Sequence, residues 1–198
     1  MSEASNGLPL YKILPFTLLS IDPSQGWAIW DGPKLWGAGE ASSADARWDM
    51  LTNWEILDAR RLVVAMEFWT GHAVKRGGKG GHLTPKTCFG MGAGRGRWFE
   101  ALENAGYRSD HVIEVLSTRW QKQLGVSKKE DVIRWACRAF HLPKDLSEHA
   151  ADAIAVGQYA IGTGQVSRMV KKIARAKKGV STDGPTIWTP ARNTQGSE

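Results

Sequence analysis

The chain has 198 residues, a hydrophobic fraction of 42% and a formal net charge of +6, with a sequence pI near 9.4. That length suits one domain with tails, and the apolar share is enough for a real core. The basic balance favours a polyanionic partner, nucleic acid first and an acidic membrane surface second, although charge alone also suits an ordinary basic soluble protein. Cys88 and Cys137 form neither a disulfide framework nor a metal-ligand spacing, which points to a reducing compartment. Residues 1–9 carry no basic-then-apolar signal pattern, and no apolar run approaches the ~20 residues that span a bilayer. A secreted or membrane enzyme is therefore not expected; a cytoplasmic one is.

Residues 1–12 read as a loose arm. Phe16 to Asp22 reads as a buried strand, Pro23-Ser24-Gln25-Gly26 as a turn and Trp27 to Trp30 as a second strand. Asp31-Gly32-Pro33 turns again before a third strand, Lys34 to Gly39. Short strands joined by tight turns make an antiparallel meander. Ser42 to Asp45 offers an N-cap for a helix from about Ala44 to Arg60, apolar at Trp48, Leu51, Trp54 and Leu57. Arg61 to Phe68 is a fourth strand, apolar on both faces as a central strand is.

Trp69 to Arg97 is rich in glycine and in basic residues, among them Lys75, Arg76, Lys79, Lys86, Arg95 and Arg97. Its first half reads as a basic loop. A helix is expected to begin near Gly90 to Gly94 and stop at Gly106. His111 to Leu116 is strand five, Lys128 to Phe140 a helix, and Ser147 or Glu148 opens a last core helix that runs to about Gly162. From Gln165 a basic cluster, Lys171, Lys172, Arg175, Lys177 and Lys178, continues as a helix extension or tail, and 179–198 reads as disordered. The expected division is an arm at 1–12, one domain at 13–164 and a basic tail at 165–198. The element order implies a mixed α/β layer fold.

Three acidic segments carry the chemistry. Asp22 ends a buried apolar strand, where it must face a cap, a cation or solvent; an Asx-turn into Pro23-Ser24 is the plainer reading. Glu67 follows Leu62-Val63-Val64-Ala65-Met66, and a carboxylate on a central strand needs a compensating cation or base unless it lies at an exposed end. His149 and Asp152 lie three apart on one helix face, followed by small apolar residues that let the helix pack closely on the sheet. If these groups converge, they form a cage of oxygen and nitrogen ligands for a divalent metal.

Ile21-Asp22-Pro23, Met66-Glu67-Phe68 and His149-Ala150-Ala151-Asp152-Ala153-Ile154-Ala155 resemble, in order and spacing, the motifs of the RuvC family of Holliday junction resolvases. That family lies within the RNase H-like (retroviral-integrase) superfamily. The resemblance covers about residues 16 to 162. Arg119-Trp120-Gln121-Lys122 looks like the family's basic motif after strand five. Ser127-Lys128-Lys129-Glu130 opens a helix where the family has another lysine, with Lys129 favoured and Lys128 the alternative. Ser24 stands where the family more usually has glycine, and the glycine-rich loop and basic C-terminal stretch are also departures.

The resemblance implies an RNase H-like fold: a five-stranded mixed sheet, a three-strand meander plus two parallel strands, with helices on both faces. It implies a crossover junction endodeoxyribonuclease, of a kind that also occurs in phages and viruses. Two Mg²⁺ ions, replaceable by Mn²⁺, would be held by Asp22, Glu67, His149 and Asp152, with Lys122 and Lys129 completing the catalytic set. Four-way junctions would be cut by paired nicks leaving 5′-phosphates, which implies a homodimer. Lys75, Arg76, Lys79, Lys86, Arg95, Arg97, Arg119 and Lys128 would contact DNA, and Phe68 and Trp69 would wedge at the junction or pack in the core. A branched-DNA binder without activity and a nuclease for flaps or RNA–DNA hybrids are the competing readings.

Overall fold

The parallel and antiparallel halves of one sheet set the architecture. The computed structural model describes residues 16–53, 62–68, 85–107 and 111–179. Strands β1 (Thr17–Ile21), β2 (Gly26–Asp31), β3 (Lys34–Glu40), β4 (Leu62–Phe68) and β5 (Val112–Leu116) lie in the order β3-β2-β1-β4-β5. The β1–β2 and β2–β3 pairs are antiparallel. The β1–β4 and β4–β5 pairs are parallel. This is the mixed sheet that the resemblance implied.

Alternation along the strands divides the core in two. Leu19, Ile21, Val64 and Met66 face α1 (Ala44–Asn53) and α2 (Pro85–Asn104), where Leu51, Trp98 and Leu102 cover them. Leu18, Val63, Ala65 and Val115 face the other way. There they meet α3 (Ser117–Leu124), α4 (Lys129–Phe140), α5 (Glu148–Gly162) and α6 (Gln165–Gly179). Both faces of β1 are covered, which explains why all its residues are buried. Among the described residues no helix is long and apolar enough to cross a membrane.

Helix α5 is the central helix of the second layer. It is buried over most of its length, with Ile154 and Val156 fully enclosed, each burial stabilising the fold by about 1.5–3 kcal/mol. Gly157 allows its close approach: a Cβ there would lie 2.3 Å from Trp30 Nε1 and 2.6 Å from Ser20 Oγ. Those two atoms are themselves joined, the indole N–H donating to the hydroxyl at 2.9 Å. The small residues that mark this helix in the sequence are thus the ones that let it sit against the sheet.

Three elements differ from expectation. Helix α2 begins at Pro85, not near Gly90 to Gly94; proline is well suited to a first helical turn, and the glycines do not break the helix. Helix α3 was not foreseen. Of the two readings of the stretch from Gln165, helix extension and tail, residues 165–179 take the helix and not the tail, because Val166 and Ile173 are buried against the core. The continuation of the first helix beyond Asn53, the basic loop at 69–84, the arm at 1–12 and residues 180–198 lie outside the described residues.

Candidate active site

Strand register alone brings Asp22 and Glu67 together. Ile21 pairs with Met66 across the parallel β1–β4 ladder, so the next residue on each strand stands at the same level at its carboxyl end. By alternation both carboxylates continue the rows that face α5. Asp22 is buried at 5% exposure, its Oδ1 accepts the Ser24 N–H at 3.2 Å, and its own N–H donates to the Gly26 carbonyl at 3.0 Å. The Asx-turn and the functional reading of Asp22 are therefore compatible, since each uses a different carboxylate oxygen.

Helix α5 brings the other pair. Ser147 caps it, its hydroxyl accepting the Ala150 N–H at 3.2 Å. His149 Nδ1 lies 2.6 Å from Asp22 Oδ2. This bond, the burial of the ring and the neighbouring acids Asp22, Glu40 and Glu148 act together on the imidazole, and the net effect holds its pKa above the usual value. Two glycines set the depth of the site. A Cβ on Gly26 would lie 1.9 Å from the His149 carbonyl oxygen, and one on Gly94 would lie 2.3 Å from the Pro23 carbonyl oxygen. The turn after β1 is thereby held between α5 and α2.

The carboxylates feel one another. Burial, then the charges of Glu67, Asp22 and Glu148, pushes Asp152 from 3.8 to about 7, against a small opposing effect of His149. Glu67 is raised chiefly by burial and also by Asp22, while hydrogen bonds from Ser117 and Trp120 hold it down. The buried Trp120 indole donates to Glu67 Oε1 at 3.1 Å. Burial first, and the neighbouring carboxylates second, make Asp152 reluctant to ionise, as expected of a site short of positive charge.

The donor set of three carboxylates and an imidazole fits a hard divalent cation in kind. Among the described residues, however, no group of three or more His, Cys, Asp or Glu side chains is gathered closely enough to hold a metal ion. In this arrangement Asp22 is committed to His149, and Glu67 to Trp120.

The expected cations are distributed unevenly. Lys129, the first residue of α4, pairs with Glu148, and the charges of Asp152 and Asp22 also act on it. Lys128 is the exposed N-cap of the same helix. Lys122 and Arg119 are exposed on α3. Arg95 is drawn away from solvent: it pairs with Glu114 and lies over the rings of Phe68, at 4.6 Å, and Phe99, at 5.2 Å. Phe68 is accordingly half-buried beneath a cation. Arg97 is exposed on α2. Lys86 lies in α2, while Trp69, Lys75, Arg76 and Lys79 lie outside the described residues.

Sequence reasoning passed over Trp120, Ser117 and Glu148. Trp120 entered only as part of the basic motif Arg119-Trp120-Gln121-Lys122 and as one tryptophan of the chain's ten, and its role depends on α3. It also passed over Arg47, buried at 2% exposure, whose guanidinium lies 5.3 Å from the Trp98 ring centre and whose Nε has no hydrogen-bond partner among the described residues.

No protein-family model and no curated protein matches this chain. Among solved structures it is similar to T. thermophilus RuvC in complex with a Holliday junction substrate, at a TM-score of 0.51 and 16% identity. The match covers 78% of this chain and 96% of that one. At this identity the likeness speaks for the backbone, and this chain has the RuvC-like form of the RNase H-like fold.

Proposed function

We propose that the chain is a structure-selective endodeoxyribonuclease that depends on a divalent metal and cuts four-way DNA junctions. The observation that supports this reading is the geometry at the carboxyl ends of β1 and β4, where register sets Asp22 beside Glu67 and His149, on the helix that carries Asp152, approaches Asp22 to 2.6 Å. The fold shared with a protein solved on a Holliday junction supports the choice of substrate, as does the net charge of +6.

Asp22, Glu67, Asp152 and His149 would hold the cation, Mg²⁺ with Mn²⁺ as a substitute and two ions per site. When bound, the metal supplies charge stabilisation at the phosphoryl oxygens. Water attacks phosphorus in line, the bond to the 3′-oxygen breaks, and the products carry a 5′-phosphate and a 3′-hydroxyl. Trp120 orients Glu67, and Asp22 orients the imidazole, leaving Nε2 as the nitrogen that can reach metal or water. Lys129 stands at the acid cluster to stabilise charge developing on the phosphate. Lys122, Arg119 and Lys128 offer exposed cations to the flanking phosphates.

Paired nicks need two sites, so the working form is a homodimer. The open face of α2 suits it: Phe89 is 80% exposed, and among the described residues nothing lies within 4 Å of a Cβ built on Gly92 or Gly96.

The test is cleavage of a labelled four-way junction by wild type and Asp152→Asn with Mg²⁺. Paired symmetric cuts by wild type, with binding but no cutting by the variant, are expected. Binding without cutting in either Mg²⁺ or Mn²⁺ would leave a branched-DNA binder, and equal cutting of flaps, hybrids and junctions would remove the junction preference.

A further inference from the structure

Lys129 occupies an electrostatically poor place. It opens α4, directly after the lysine that caps it, and the first turn of a helix carries positive partial charge that disfavours cations. Its side chain is 71% exposed. An ion pair so exposed contributes little to stability. Neither helix formation nor folding energy therefore accounts for an ammonium at this point. What fixes it there is the carboxylate of Glu148, the first residue of α5. Glu148 stands next to His149 and one turn before Asp152, so the pair ties α4 to the acid-bearing helix.

We propose that Glu148 is a positioning residue that holds the Lys129 ammonium at the edge of the acid cluster, ready for the phosphate being cut. This rests on the nuclease reading given above. Glu148 does not itself touch the reacting atoms; it acts through Lys129. Without it, the flexible four-carbon stem of Lys129 would sample solvent, and the charge would be misplaced when the phosphate arrives. The plain alternative is that Glu148 only stabilises α5, as an acid in a first helical turn does.

A double-mutant cycle separates the two. Single-turnover cleavage and binding of a four-way junction would be measured for wild type, Glu148→Gln, Lys129→Met and the double variant. Lys129→Met is expected to lose about 100-fold in rate, and Glu148→Gln about 10-fold with junction affinity within about two-fold. The double variant should match Lys129→Met. A full further 10-fold loss in the Lys129→Met background, or no loss from Glu148→Gln alone, would overturn the proposal. If wild type cuts no junction, the nuclease reading fails by itself. The pairing is then read from the NMR titration of the Lys129 ammonium in metal-free protein. A lower pKa in Glu148→Gln sustains it, and an unchanged one removes it.

Discussion

His149 Nδ1 lies 2.6 Å from Asp22 Oδ2 and so joins the second residue of α5 to the end of β1. The bond raises the histidine pKa, with the charge of Asp22 adding to it. A histidine raised by its partner contributes stability that is fully present below its unfolded value of about 6.5 and is lost as pH rises through the folded value. His149→Ala should therefore cost about 1–3 kcal/mol at pH 5.5 and less at pH 9. Thermal unfolding in the presence of a chelator measures this. The same difference at both pH values would mean that the ion pair is not what the imidazole contributes.

Asp152 runs by a different logic to the same direction. Its folded pKa of about 7 lies above the ordinary 3.8, so the native state binds more protons between those values and stability falls as pH rises across that window. Asp152→Asn removes the penalty. It should stabilise the metal-free protein at pH 8, by on the order of 2–4 kcal/mol, and leave it nearly unchanged near pH 4. Mg²⁺ should raise the melting temperature of wild type more than that of the variant, because the cation relieves the same repulsion. Destabilisation by Asp152→Asn at pH 8 without metal would contradict this account.

Much of this is legible in the amino-acid sequence. Strands β1 and β4 are continuous apolar runs, and continuous apolarity marks strands covered on both faces. The His149-x-x-Asp152 spacing with its small neighbours gave the α5 face and its close packing. Helix α3 was harder. Its sequence, Ser117-Thr118-Arg119-Trp120-Gln121-Lys122-Gln123-Leu124, is mostly polar, and Trp120 is its one buried residue. The available signals were Trp120 and Leu124 at helical spacing and Gly125 beyond them, which takes a left-handed φ of 67° at the cap. Glu148 and Lys129 come from different helices, and no spacing rule reaches between them. The start of α2 was expected near Gly90 to Gly94, not at Pro85, because propensity disfavours glycine in a helix, whereas Gly94 is required by its contact with Pro23.

That contrast predicts opposite outcomes for similar substitutions. Gly26→Ala would drive a methyl to 1.9 Å from the His149 carbonyl, and Gly94→Ala to 2.3 Å from that of Pro23. Backbone must move in both cases, and each should destabilise by about 2–4 kcal/mol. Gly90 lies in the same helix as Gly94, with nothing among the described residues within 4 Å of its Cβ position. Gly90→Ala should stabilise by about 0.5–1 kcal/mol. Chemical denaturation of the three variants decides it, and equal effects at Gly90 and Gly94 would contradict the packing.

The proposed homodimer can be tested apart from activity. Phe89→Glu places a charge on the most exposed large hydrophobic residue of α2. Sedimentation should show a dimer for wild type and a monomer for the variant at micromolar concentration, with unchanged circular dichroism. A monomeric wild type, or a dimer indifferent to Phe89→Glu, would place the interface elsewhere or remove it.

Trp120→Phe isolates a single hydrogen bond. The ring stays apolar and buried, but the N–H that reaches Glu67 Oε1 at 3.1 Å is lost. That bond lowers the Glu67 pKa against the upward push of burial and of Asp22. Without it, Glu67 takes up a proton at higher pH and offers its carboxylate later. The acid limb of the cleavage profile should move to higher pH, while the rate on the alkaline plateau changes by less than about ten-fold. Ser117→Ala should shift the limb the same way, since Ser117 holds Glu67 down too. A packing defect alone would lower the plateau and leave the midpoint in place, so an unmoved midpoint in both variants would show that neither group tunes Glu67.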